Sequence, residues 1–197
     1  MDEKFFFCDL ETTGTDSAVN GIHQISIHIF ANGKTEHAGW KVQPFSSEII
    51  EDEALKVSGI TRETLTAYRD PRIVYHELIK LLSNYVDKYN RADKFFFVAY
   101  NAPFDMDFMR SFFKKNGDEY FGSWFYYPDW CVMRQALTQL YKNRSGMKNF
   151  QLSTLMSFNE SAGSDKITEG FHDADVDIKA TLRLFRFLNP HIQLAAI

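Results

Sequence analysis

Cysteine is scarce: the 197-residue chain has two, Cys8 and Cys131, without Cys-x-x-Cys spacing and without companion ligands nearby. That argues against a disulfide-built scaffold or a thiolate metal site and predicts reduced core thiols in a reducing compartment. Positive charge is also short. The formal net charge of −4 excludes a broadly basic surface of the kind that binds nucleic acid non-specifically. No apolar run approaches the length of a membrane span. No internal repeat or low-complexity linker interrupts the chain, so a single domain over residues 1–197 is expected. Asp2, Glu3 and Asp9 leave the N-terminal Phe run too short for a signal peptide, and a cytoplasmic location with no membrane attachment follows as the expectation.

What the chain does have is apolar residues, 45% of the total, and 19 phenylalanines. Clustered as Phe5–Phe7 and Phe95–Phe97, the latter read as buried strands. The first strand covers residues 4–10. Ile25, Ile27 and Ile29 alternate with Gln24, Ser26 and His28, the period-two pattern of a half-buried strand. Asn32-Gly33 is a hairpin signal leading to a third strand near Glu36–Val42. Helical spacing appears over 72–89, a further apolar strand over 94–99, and helices over 104–115, 130–142, 150–157 and 172–188. Asp129 stands where it would cap the helix that follows. This order predicts an α/β fold, a mixed sheet flanked by helices.

Two acids end the first strand. Residues two apart on a strand share a face, so Asp9 and Glu11 project together. At about 4 Å and an effective dielectric of about 20, two such charges repel by roughly 4 kcal/mol. A solvated strand end avoids this cost; otherwise a shared proton or a hard cation such as Mg²⁺ or Mn²⁺ must relieve it. Two more acidic segments follow. One is Asn101-Ala-Pro-Phe-Asp105, where Asp107 lies about 200° away around the helix and so faces opposite to Asp105. The other is His172-Asp-Ala-Asp-Val-Asp177, where Asp173 and Asp177 share a face and Asp175 points elsewhere. Helical geometry does not choose between Asp173 and Asp177, since Asp173 also suits a first-turn acid.

Together, Asp9-x-Glu11-Thr12-Thr13-Gly14, Asn101-Ala-Pro-Phe-Asp105 and His172-x-Ala-x-x-Asp177 resemble the three motifs of the DEDDh-type 3′→5′ exonucleases, which include ribonuclease T and the proofreading exonucleases. Gly59-Ile60-Thr61 resembles a segment between the first two motifs in many relatives. Tyr100 departs from the usual His, and the Asp129 segment matches only loosely. The resemblance implies a ribonuclease H-like fold with a five-stranded mixed sheet. It selects Asp9, Glu11, Asp105 and Asp177 as ligands of two divalent cations, Mg²⁺ or Mn²⁺, which would offset the net charge of −4. It makes His172 the general base, against the alternative of a helix-start residue, and places Thr12 and Thr13 at the terminal nucleotide.

The implied activity is 3′→5′ hydrolysis of single-stranded nucleic acid to nucleoside monophosphates, with DNA slightly favoured over RNA. A proofreading role would require a separate polymerase partner; an RNA-trimming exoribonuclease would not. A catalytically silent nucleic-acid-binding domain and a phosphomonoesterase are the competing readings. The polar segment 159–170 is either a plain connector or a mobile arm that brings His172 to the substrate. Lys142, Arg144 and Lys148 are read as a solvated face, and the remaining histidines as ordinary surface or strand residues.

Overall fold

Strand β1 (Phe5–Thr12) is the middle of a five-stranded sheet in a computed structural model that describes residues 3–160 and 173–195. It pairs antiparallel with β2 (Ile22–Ala31), which pairs antiparallel with β3 (Lys34–Lys41). On its other edge β1 runs parallel to β4 (Phe96–Ala99), and β4 runs parallel to the two-residue β5 (Trp130–Cys131). The order is β3-β2-β1-β4-β5. Asn32 and Gly33 both take positive φ at the β2–β3 turn, the geometry that lets a two-residue hairpin match strand twist.

Seven helices surround the sheet among the described residues: α1 (Asp52–Ser58), α2 (Arg62–Thr66), α3 (Pro71–Ser83), α4 (Ala102–Lys115), α5 (Val132–Leu140), α6 (Leu152–Glu160) and α7 (Ala174–Leu188). None is long and apolar enough to cross a membrane. Alternation along β1 divides the core. Phe6, Cys8 and Leu10 join the isoleucines of β2 and the apolar faces of α3 and α4. Phe5 and Phe7 face the other way, toward α5, α6 and α7, where the Phe7 ring lies edge-on to Phe185 at 5.0 Å. The next two residues on that second face are Asp9 and Glu11, so the packing that seats α7 also decides what lies above the acids.

Several expectations change. β2 is buried along its whole length rather than half-buried, because α7 covers its polar side: Ser26 Oγ donates to Asp175 Oδ1 at 2.5 Å, and Gln24 Nε2 to Asp173 Oδ1 at 3.1 Å. His23 and His28 are interior as well, at 1% and 2% exposure, His23 lying against Ser58 of α1. The helix expected from residue 130 begins at Val132, since Trp130 and Cys131 extend the sheet against Val98 and Ala99. Its N-cap is consequently Cys131 and not Asp129. The helix expected over 72–89 stops at Ser83, although Val86 remains buried beyond it. The segment 161–170 and His172 lie outside the described residues.

The paired Phe core yields a direct expectation. Phe7→Ala removes a fully buried ring from the junction of β1 and α7 and should cost about 3–5 kcal/mol of stability, read from urea unfolding with circular dichroism. A loss under about 1 kcal/mol would mean that the two elements do not depend on this contact.

Candidate active site

The acids are presented by elements that the core holds rigidly. Asp9 and Glu11 come from the end of β1 and Asp177 from the first turn of α7. Asp173 starts that helix, its carboxylate accepting from the Asp175 backbone N–H at 2.9 Å. An N-cap of this kind satisfies a donor that the helix leaves open, and the Gln24 bond to the same carboxylate ties the helix start to β2. One carboxylate oxygen from each of Asp9, Glu11 and Asp177 then falls within 4.8 Å of the others.

Asp105 does not belong to that trio. It comes from the first turn of α4, 5% exposed and close enough to Asp9 to raise its carboxyl, with Oδ1 accepting from the Leu10 backbone N–H at 3.2 Å. This bond fastens α4 to the acid-bearing strand. Asp107 is exposed on the opposite side of the helix, as its spacing predicts.

Burial and mutual repulsion hold these acids toward their protonated forms. Burial, then Asp105 and Asp177, push the Asp9 carboxyl well above its ordinary range. Burial, then Asp177, raise Glu11 to about 7, against an opposing hydrogen bond from Ser58. Burial raises Asp105 to about 8 despite its backbone donors. Cys8, packed beneath them, is a thiol held protonated first by burial and then by the same carboxylates. Among the described residues the cluster is thus a set of hard oxygen donors whose charged forms are disfavoured in isolation. A divalent cation relieves both penalties at once, which is the sense in which these residues fit a metal.

A polar row flanks the acids. Glu11, Gln24 and Lys41 are cross-strand neighbours on β1, β2 and β3, and Lys41 Nζ donates to Gln24 Oε1 at 2.6 Å. Lys41 draws Glu11 weakly back toward its charged form. Neither Lys41 nor Gln24 is marked by a motif; the clue would have been their strand register opposite Glu11. Ser58, which donates to Glu11 Oε2 at 3.2 Å, went unrecognised because α1 is too short for its periodicity to register.

The two threonines differ. Thr12 is half-buried, its hydroxyl donating to Gly14 O at 2.6 Å. Thr13 has no exposed surface: its hydroxyl donates to Ile49 O at 2.7 Å and accepts from Gly21 N at 2.9 Å. The Thr13 hydroxyl, expected at the terminal nucleotide, is occupied in this structure as a tie between the β1 exit and residues 21 and 49. Tyr100 likewise serves the fold, its hydroxyl donating to the Phe150 carbonyl. His172 falls outside the described residues, so its position relative to the acids is not part of this geometry.

The raised carboxyls set a pH dependence. In the folded state Glu11 and Asp105 hold protons up to about 7 and about 8, whereas the unfolded chain releases them near about 4. The folded state therefore binds more protons across that window, and the contribution of these groups to stability falls as pH rises through it. Melting temperatures of metal-free protein from pH 5 to 8.5 should carry this decline. Glu11→Gln should flatten it, and Mn²⁺ should offset it. An unchanged slope in Glu11→Gln would show that this carboxyl titrates normally.

An exonuclease family model matches residues 6–185. No curated protein matches the sequence. Among solved structures, Escherichia coli Exonuclease I in complex with a dT13 oligonucleotide aligns with a TM-score of 0.73 at 20% identity, over 95% of this chain and 41% of that one. The zinc-bound form of the Exonuclease I–single-stranded DNA complex gives 0.72 at 20% identity, over 97% and 42%. The product-bound structure of exonuclease I gives 0.72 at 19% identity, over 96% and 44%. This chain thus spans about two-fifths of the length of those proteins. The mixed five-stranded sheet with its flanking helices is the ribonuclease H-like fold. The match over nearly the whole chain, on a fold that gathers the acids of three motifs around β1, makes this protein a member of the exonuclease family, in the DEDDh-type group that its motifs resemble.

Proposed function

We propose that this chain is a single exonuclease domain that hydrolyses the terminal phosphodiester of single-stranded nucleic acid in the 3′→5′ direction, releasing nucleoside monophosphates, with DNA preferred over RNA. The observation that carries the reading is the convergence of Asp9, Glu11 and Asp177 within 4.8 Å, with Asp105 bonded to the Leu10 N–H between the first two. Its polarity follows from the motif resemblance. Its preference for DNA follows the structural likeness to Exonuclease I, whose structures include complexes with dT13 and dA16 oligonucleotides.

In this reading Asp9, Glu11 and Asp177 hold Mg²⁺ or Mn²⁺, and Asp105 completes the ligand set from α4. Bound divalent cations supply Lewis-acid activation of water and compensation of the charge that develops on the leaving oxygen. The carboxylates orient the site by their anchors: Asp105 through Leu10 N–H, Glu11 through Ser58, and Asp177 through the capped start of α7. His172, the residue immediately before that cap in sequence, accepts the proton of the attacking water; histidine titrates near neutrality and suits the task. Thr12, at the exit of β1, contacts the terminal nucleotide.

A 5′-labelled single strand should shorten as a ladder in Mg²⁺ or Mn²⁺ and stay intact in chelator, with matched DNA and RNA strands assayed side by side. Asp9→Asn should abolish cleavage, and His172→Ala should lower turnover by about 10²–10⁴-fold while metal binding persists. Internal fragments from a circular single strand would make it an endonuclease. Faster cleavage of RNA would reassign it to RNA trimming. Binding without cleavage would leave a silent nucleic-acid-binding domain.

A further inference from the structure

Behind Glu11 runs a hydrogen-bond chain that the motifs do not contain. Ser58 Oγ donates to Glu11 Oε2 at 3.2 Å, and His23 Nε2 lies 3.2 Å from Ser58 Oγ. A serine hydroxyl has a single proton. Once that proton is directed at the carboxylate, the oxygen can only accept from its other neighbour, so His23 must present Nε2–H. Burial, reinforced by Lys41, holds the imidazole down at about 4. It is therefore neutral at neutral pH, with one ring N–H available for this bond.

The backbone is shaped to place that ring. Glu11 pairs with Gln24, but the next residue, Thr12, pairs with Ile22. His23 is thus one residue too many on β2, a bulge opposite the Glu11–Thr12 step. Bulges re-aim a side chain at the expense of ladder regularity. His23 is also 1% exposed, and its ring is buried for the one bond that Nε2 makes, since Nδ1 has no hydrogen-bond partner among the described residues. Packing alone does not account for a bulge, a buried polar ring and a serine aligned on one carboxylate oxygen. From the other side, Ser58 is the last residue of α1, and the helix is ended directly after it by Gly59 at φ +67°.

We propose that Ser58 and His23 are positioning residues that lock the Glu11 carboxylate in one orientation and thereby set how tightly the acidic cluster takes a divalent cation. This rests on the reading of that cluster as a metal site. It assigns α1, and with it the Gly59-Ile60-Thr61 segment, a task at the site: delivering the Ser58 hydroxyl. Neither residue touches substrate. Their effect passes entirely through Glu11.

Calorimetric titration of the full chain with Mn²⁺ tests the assignment, with metal-free melting curves of each variant alongside. Ser58→Ala and His23→Leu should each weaken Mn²⁺ binding by about tenfold, the lower end of what partners behind metal ligands typically contribute. Ser58→Thr and His23→Gln, which keep a hydroxyl and a side-chain N–H, should bind nearly as the wild type does. The double variant Ser58→Ala/His23→Leu should bind no more weakly than Ser58→Ala alone, because His23 acts only through Ser58. Turnover in the single variants should recover at saturating Mn²⁺. Wild-type affinity in Ser58→Ala, or losses that multiply in the double variant, would overturn the relay while leaving the metal site standing. A wild-type chain that takes up no Mn²⁺ would overturn the metal site itself, and the relay with it.

Discussion

Carboxylate crowding at the end of β1 is the constraint around which this molecule is arranged. Asp9 and Glu11 cannot move apart, because alternation on the strand that puts Phe5 and Phe7 into the core puts them on the same face. Asp177 cannot withdraw, because α7 is pinned by Phe185 below and by its capped start above. Asp105 is held to the strand by Leu10 N–H. Each acid is kept near the others by packing and by bonds to backbone N–H groups, not by attraction between the acids themselves. The repulsion is thus a standing feature of the folded chain, sustained by hydrophobic packing elsewhere.

The sheet turns that constraint into a site with two sides. Toward β3 the polar row of Gln24 and Lys41 brings a cation beside Glu11, Lys41 donating to Gln24 on the neighbouring strand. Toward β4 the wall is built by α4, whose first turn carries Asp105. The parallel pairing of β1 with β4 brings the exits of both strands to one end of the sheet. Acids from distant parts of the chain meet there.

Much of this was legible in the sequence because it depends on local periodicity. The Asp9–Glu11 pair follows from period two, the opposite facing of Asp105 and Asp107 from the helical turn, and the β2–β3 hairpin from Asn32-Gly33. The structure agrees in each case. What escaped depends on contacts between remote residues or on elements too short to show a pattern. β5 has two residues and became visible only against β4. β2 read as half-buried because its polar side is satisfied by Asp173 and Asp175, about 150 residues away, through bonds no local pattern encodes. The bulge at His23 is likewise invisible until the register with β1 is known. The bond from Leu10 N–H to the Asp105 carboxylate joins residues 95 apart in the chain, and no local pattern encodes it either.

The knot beyond β1 has a thermodynamic consequence of its own. Thr13 donates its N–H to Gly21 O and shares its hydroxyl between Gly21 and Ile49, and Asn20 Nδ2 donates to Ile49 O. Gly14 permits the closure, since a Cβ there would lie 2.4 Å from the Asn20 side chain. Ser111 and Lys115 of α4 donate to Ser17 O and Asn20 O from the far side. A surface turn next to a binding cleft would ordinarily sample many conformers and surrender them when a ligand arrives. Here that disorder is removed when the chain folds. A ligand that binds beside Thr12, as proposed, would meet a wall already set, and the free energy of its contacts would go into affinity rather than into ordering the protein.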